Sequence, residues 1–129
     1  MASQYPPKRV LIVDDNRDAA DLTAELLGLH GHVTATAYGG REGINRAVEF
    51  VPDVVLLDLG MPVVDGFAVA IALRQIRALD RAVLVAYTAW NDTATRNRTI
   101  ASGFDSHVVK PAKLEMILDM VDRTRRDDM

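Results

Sequence analysis

Residues 52–66, PDVVLLDLGMPVVDG, decide the fold. Val54-Val55-Leu56-Leu57 is an unbroken apolar run, the composition of a strand buried on both faces. The run stops at Asp58, and Gly60, Pro62 and Gly66 then break the pattern into a loop. A carboxylate at the mouth of the most buried strand costs desolvation energy unless another group pairs with it or uses it. A single aspartate in that place is commonly a turn former or helix cap. The weight of Asp58 therefore depends on its company.

Upstream, Arg9 to Val13 (RVLIV) reads as another buried strand, ending in Asp14-Asp15. Asn16 is placed to cap a helix in which Leu22, Leu26 and Leu29 recur at i, i+4 and i+7, the spacing of a core-facing stripe. His30-Gly31-His32 closes that helix. With no third ligand in view, the two histidines read as turn residues rather than a metal site. Val33 to Tyr38 alternates weakly and reads as a strand nearer an edge. Gly39-Gly40 opens a second helix with Ile44, Ala47, Val48 and Val51 on one face, and Pro52 stops it.

Downstream, Phe67 to Leu79 predicts a third helix with Arg74, Gln75 and Arg77 towards water. Ala82 to Tyr87 is a fourth strand that ends in Thr88. Asn91 to Ser102 is a polar helix whose apolar anchors are Ala94 and Ile100. Gly103 ends it, and Phe104 to Val109 forms a fifth strand running into Lys110-Pro111. Leu114, Ile117, Leu118 and Val121 mark an amphipathic last helix. Arg123, Arg125 and Arg126 read as a solvated helix end that complements the helix dipole. The expected organisation is a lead-in over 1–8, one domain over 9–126 and a frayed end over 127–129.

Composition bounds the function. The 129 residues suit one domain with a real core, and 49% hydrophobic with 26% charged residues is ordinary for a globular protein. No stretch approaches the roughly 20 apolar residues of a transmembrane helix, and MASQYPPK lacks the apolar segment of a secretory signal. Without cysteine there is no disulfide or thiolate chemistry, which fits a cytoplasmic protein. A formal charge of −3 gives no case for direct nucleic-acid binding.

Five apolar strands alternating with five helices specify an α/β domain, a parallel sheet with helices on both faces. Such sheets bind ligands at the carboxyl ends of their strands. The sequence sets Asp14, Asp15, Asp58, Thr88 and Lys110 at four of those ends. Converging carboxylates resist ionising without a cation, and oxygen-only donors favour a hard ion, Mg²⁺ or Mn²⁺. Lys110 brings a mobile positive charge and Thr88 a hydroxyl. A carboxylate nucleophile with these companions makes a phosphoryl-acceptor site. The competing reading is a metal-free salt-bridge cluster.

The chain resembles the receiver domains of bacterial two-component response regulators, and is similar to the single-domain chemotaxis regulators. The resemblance runs from Arg9 to about Arg125, and rests on LIVDDN at 11–16, LLDLGMPVVDG at 56–66, Thr88-Ala89 and Lys110-Pro111. It implies a flavodoxin-like (βα)5 fold with strand order 2-1-3-4-5. It implies that Asp58 accepts a phosphoryl group from a phosphohistidine of a sensor histidine kinase or histidine phosphotransfer protein. Asp15, Asp58 and the Gly60 carbonyl would ligate Mg²⁺, with Asp14 acting through water. Lys110 would contact the phosphoryl group and Thr88 would swing towards it, while a cis Lys110-Pro111 peptide would aim the lysine inward. The fourth helix, fifth strand and fifth helix would present a changed face, open to dimerisation or to a downstream protein.

Three positions depart from the family pattern. His107 stands where the family has an aromatic switch residue, as a titratable switch or as an ordinary strand histidine. Gly60 brings no side chain to shield a phosphoryl group. Trp90 brings a large ring that either covers the site or packs under the fourth helix. Rival readings are a receiver excised from a hybrid sensor kinase, a phosphorylation-independent receiver-like module, an aspartyl-nucleophile phosphatase and a flavodoxin-like cofactor binder. A phosphatase of the haloacid-dehalogenase kind needs a second Asp where Gly60 stands, and Asp14-Asp15 would repel a cofactor phosphate. The expectation is therefore a signalling switch and not a multiple-turnover enzyme.

Overall fold

The computed structural model describes residues 5–124. The strands are β1 (Arg9–Val13), β2 (Val33–Ala37), β3 (Val54–Leu57), β4 (Val83–Thr88) and β5 (Ser106–Val109). The helices are α1 (Arg17–Leu29), α2 (Gly40–Phe50), α3 (Gly66–Arg74), α4 (Thr93–Ser102) and α5 (Leu114–Arg123). All pairings are parallel, in the order β2-β1-β3-β4-β5. β3 lies at the centre with all four residues buried, as its apolar run requires. One core layer sets α2 and α3 against Leu11, Val13, Val55 and Leu57, and the other sets α1 and α5 against Val10, Ile12, Leu56 and Val85.

The helix ends follow local chemistry. Asn16, Asp65 and Asp92 cap α1, α3 and α4 by accepting the N–H of Ala19, Ala68 and Thr95. Gly103 closes α4 at φ 101°, in the left-handed region that glycine enters without strain.

Helix faces differ from expectation where size matters. In α1 the core face is Ala20, Ala24 and Leu27, while Leu22 and Leu29 are 56% and 75% exposed. Both sets share one spacing, and the small residues win because they bring the helix close to the sheet. Likewise α2 packs through Gly40, Gly43 and Ala47, with Val48 and Val51 exposed. A Cβ on Gly43 would lie 2.8 Å from Val13 Cγ1, so that contact admits only glycine.

Three further differences bear on rigidity. The third helix stops at Arg74, and a 3₁₀ turn over Arg77–Leu79 completes the connection. Arg74 does not face water: its guanidinium donates to the carbonyls of Gly103 and Ala82, each at 2.9 Å, and to Asp105 Oδ2 at 2.5 Å. Asp105 Oδ2 also accepts the Leu84 N–H, so one ion pair ties α3 to the beginnings of β4 and β5. In α4, Ala94 and Ile100 are exposed, and the buried residues are Thr99 and Ser102. A helix held by two small polar residues is thinly anchored.

The expected lead-in is fixed at its end. Lys8 Nζ donates to the carbonyls of Val121, Asp122 and Thr124 at the end of α5. The Lys8 N–H donates to Nδ1 of the buried His32, whose Nε2 meets Asp122 Oδ1 at 2.8 Å. The remaining terminal expectations, over residues 1–4 and 125–129 with Arg125 and Arg126, lie outside the described residues.

Candidate functional site

The carboxyl ends of β1, β3, β4 and β5 come together at one edge of the sheet. Register does this: Val13 pairs with Leu57, Leu57 with Ala86, and Thr88 with Val109. The residues that follow β1 and β3, Asp14 and Asp58, thus emerge side by side. Carboxylate oxygens of Asp14, Asp15 and Asp58 lie within 4.8 Å of one another. Asp14 is buried, Asp58 partly so, and Asp15 is open to solvent.

Each acid has a distinct setting. Asp14 Oδ1 accepts the Asn16 N–H at 2.9 Å, and Asp14 Oδ2 accepts from Lys110 Nζ at 2.7 Å. Asp58 Oδ1 faces the Gly60 N–H at 3.4 Å, a long contact that leaves most of its acceptor capacity unused. Burial pushes the Asp58 carboxyl above its ordinary value. Lys110 pulls it back, Asp14 pushes up again, the Gly60 N–H lowers it and Asp15 raises it. An oxygen-only cluster, crowded with negative charge and open on the Asp15 side, fits a hard divalent cation such as Mg²⁺ or Mn²⁺. The Lys110-Pro111 peptide is cis.

The loop after Asp58 is drawn tight. Val64 N–H donates to the Pro62 carbonyl at 2.8 Å around Val63, whose φ of 68° is unusual for a β-branched residue. Gly66 presses on the backbone beneath Asp58, where an added Cβ would lie 2.2 Å from the Asp58 carbonyl oxygen. From the sequence, Gly66 reads as a loop breaker and as the last residue of the 56–66 motif. Its spacing from Asp58 carries no sign that the two backbones touch.

Thr88 is 2% exposed, and its Oγ1 accepts the Trp90 N–H at 3.2 Å. The Trp90 carbonyl accepts from His107 Nε2 at 2.9 Å, which fixes the proton on that nitrogen, while His107 Nδ1 is buried without a partner. The Trp90 peptide thus joins Thr88 on β4 to His107 on β5. The Trp90 ring lies over Gly60: its Cζ2 and Cη2 atoms are 3.3 and 3.4 Å from where a Cβ would stand. Of the two expectations for Trp90, a ring that covers the site has this contact with Gly60 beside it. Sequence reasoning overlooked Tyr87, whose ring lies 4.9 Å from Lys110 Nζ; its place one residue before Thr88 was the available signal.

An open, doubly wound α/β domain with acids, hydroxyl and lysine gathered at its strand ends has the chemistry to hold a hard cation beside an anionic group. Family comparison narrows the class. The response regulator receiver domain model matches residues 10–122, and the chain belongs to that family.

Among curated relatives, the transcriptional regulatory protein PrrA of Mycobacterium tuberculosis is 38% identical over 114 residues, covering 88% of this chain and 48% of PrrA. The transcriptional regulatory protein AfsQ1 of Streptomyces coelicolor is 39% identical over 108 residues, covering 83% of this chain and 46% of AfsQ1. The chain therefore spans about half the length of these relatives. Among solved structures, the chemotaxis protein CheY4 of Vibrio cholerae superposes with a TM-score of 0.87 at 27% identity, covering 92% of this chain and 98% of that one. The fold is thus that of CheY-like receivers, signalling switches of two-component systems, and receivers generally bind Mg²⁺ at an acidic pocket. Among the described residues, no helix is long and apolar enough to cross a membrane.

Proposed function

We propose that the chain is a phosphoacceptor switch in which Asp58 takes a phosphoryl group from a phosphohistidine. The donor is a sensor histidine kinase or a histidine phosphotransfer protein, and the setting is the cytoplasm. The observation that carries this reading is the gathering of Asp14, Asp15 and Asp58 within 4.8 Å, beside a lysine already drawn to Asp14.

An Asp58 carboxylate oxygen attacks phosphorus as the phosphorus–imidazole nitrogen bond breaks, and the donor imidazole leaves with the bonding pair. Asp15, Asp58 and the Gly60 carbonyl would hold a divalent ion, and Asp14, whose oxygens accept from the Asn16 N–H and Lys110 Nζ, would act through water, as the family resemblance implies. That ion, when bound, offsets the negative charge that gathers on the carboxylates and the phosphoryl oxygens. Lys110 leaves Asp14 for a phosphoryl oxygen. Thr88 turns its hydroxyl towards the same group and gives up the Trp90 N–H. That release reaches His107 through the Trp90 carbonyl, so His107 reports the change on β5 without the inward ring movement of an aromatic residue. The thinly anchored α4 follows, and the face made by α4, β5 and α5 meets a downstream protein or a second copy.

The test is intact mass after incubation with Mg²⁺ and acetyl phosphate, beside Asp58→Asn. A gain of one phosphoryl group, lost in EDTA and in the variant, supports the reading. A gain that survives Asp58→Asn overturns it.

A further inference from the structure

Tyr87 precedes Thr88 on β4, and its ring lies on the opposite face of the sheet, against the layer that holds α1 and α5. That ring meets the turn after β5 at two points. Lys110 Nζ stands 4.9 Å from the ring centroid, and Ala112 lines one cavity with the ring. Lys110 and Ala112 flank Pro111, so one half-buried side chain braces both arms of the turn that carries the lysine.

We propose that Tyr87 is a positioning residue for Lys110, its ring face holding the ammonium at the acidic cluster while that ammonium changes partner. The proposal rests on the reading of Lys110 as the cation that meets the phosphoryl group. A lysine stem has four carbons and many rotamers, so its head must be held to be useful. The Asp14 contact does that at 2.7 Å, but it is directional and would weaken once a divalent ion shared the carboxylates. A ring face attracts a cation over a broad area, with no dependence on the charge of Asp14. Lys110 therefore moves from Asp14 towards Asp58 across the ring without passing through an unheld state. Tyr87 touches neither donor nor acceptor and acts only through Lys110.

The experiment compares the wild type with Tyr87→Phe, which keeps the ring, and Tyr87→Leu, which keeps apolar bulk without it. Two readouts are taken: the proton shift of the Lys110 ε-methylene, and the initial rate of phosphorylation by acetyl phosphate with Mg²⁺. Ring current moves the ε-methylene upfield in the wild type and Tyr87→Phe, and the shift disappears in Tyr87→Leu. The phosphorylation rate falls about fivefold to tenfold in Tyr87→Leu and stays within about twofold in Tyr87→Phe. Mg²⁺ affinity, followed by Trp90 fluorescence, is unchanged in both. The proposal is overturned by a wild type without the upfield shift, by Tyr87→Leu at the wild-type rate, or by Tyr87→Phe as slow as Tyr87→Leu. A wild type that shows the shift and the rate pattern while Asp58→Asn still takes a phosphoryl group upholds the positioning of Lys110 and refutes only the role of Asp58.

Discussion

Asp58→Asn reverses its effect on stability when a divalent ion is added. Carboxylate oxygens of Asp58, Asp14 and Asp15 lie within 4.8 Å. At that distance each repulsion ranges from about 0.9 kcal/mol in bulk water to about 3.5 kcal/mol at the effective dielectric of a protein site. Asp15 is open to solvent and Lys110 opposes the repulsion, so relief at Asp58 amounts to about 1 kcal/mol, or about 3–6 °C in Tm for a domain of this size.

In EDTA at neutral pH, Asp58→Asn is accordingly the more stable protein. Saturating Mg²⁺ stabilises the wild type by about 2.7 kcal/mol at a hundred times its Kd. The variant, short of one anionic ligand, gains less, and the order of the two melting curves inverts. The pH dependence has a definite sign. Because the folded Asp58 carboxyl titrates above its ordinary value of 3.8, its favourable contribution is present below that value and is lost as pH rises through the folded one. The advantage of the variant in EDTA therefore shrinks as the solution is acidified. Thermal melts of both proteins, with EDTA and with Mg²⁺ across pH, make the measurement. A variant that is less stable in EDTA, or that gains as much from Mg²⁺ as the wild type, refutes the electrostatic account.

Arg74→Ala takes the guanidinium from the Asp105 carboxylate, whose side chain is 12% exposed and which keeps the Leu84 N–H, and costs about 1.5–3 kcal/mol in urea unfolding; a loss below about 1 kcal/mol would show that water replaces the guanidinium. Gly66→Ala drives a Cβ against the backbone of Asp58 and Leu59, so it lowers both the urea midpoint and the phosphorylation rate, whereas Ala at the uncrowded Gly39 leaves the phosphorylation rate unchanged. Trp90 is the only tryptophan, so Mg²⁺ changes its emission in the wild type and not in Asp15→Asn. Gly60→Leu displaces the ring and shifts that emission to the red, which a fluorescence spectrum checks directly.

The parallel sheet and its chemical edge were legible because both are written in short-range pattern. VVLL followed by Asp58, and RVLIV followed by Asp14-Asp15, state strand and strand end within a few residues, and register then brings the acids together. Helix faces were less legible, since Leu22-Leu26-Leu29 and Ala20-Ala24-Leu27 share a periodicity. What separates them is the distance at which a helix can approach the sheet, a property of the packed pair. Arg74 was misplaced for a related reason. Its partners are Ala82, Gly103 and Asp105, and no spacing rule connects a helix end to the beginnings of two later strands. Trp90 over Gly60 is also non-local: a bare glycine and a large ring, thirty positions apart, fill one space between them.

The grip of Lys8 on the last turn of α5 has a consequence for engineering. Its Nζ donates to the Thr124 carbonyl at 2.6 Å, so the first and last described stretches run side by side, across the sheet from the acidic edge. A short linker from residue 124 back to residue 8 would therefore need to span little more than the length of a lysine side chain, and new ends could be opened in an exposed connection such as the Asp80–Arg81 corner. A circular permutant, or a copy spliced into a surface loop of a host protein, would keep the acidic edge intact in a new covalent setting.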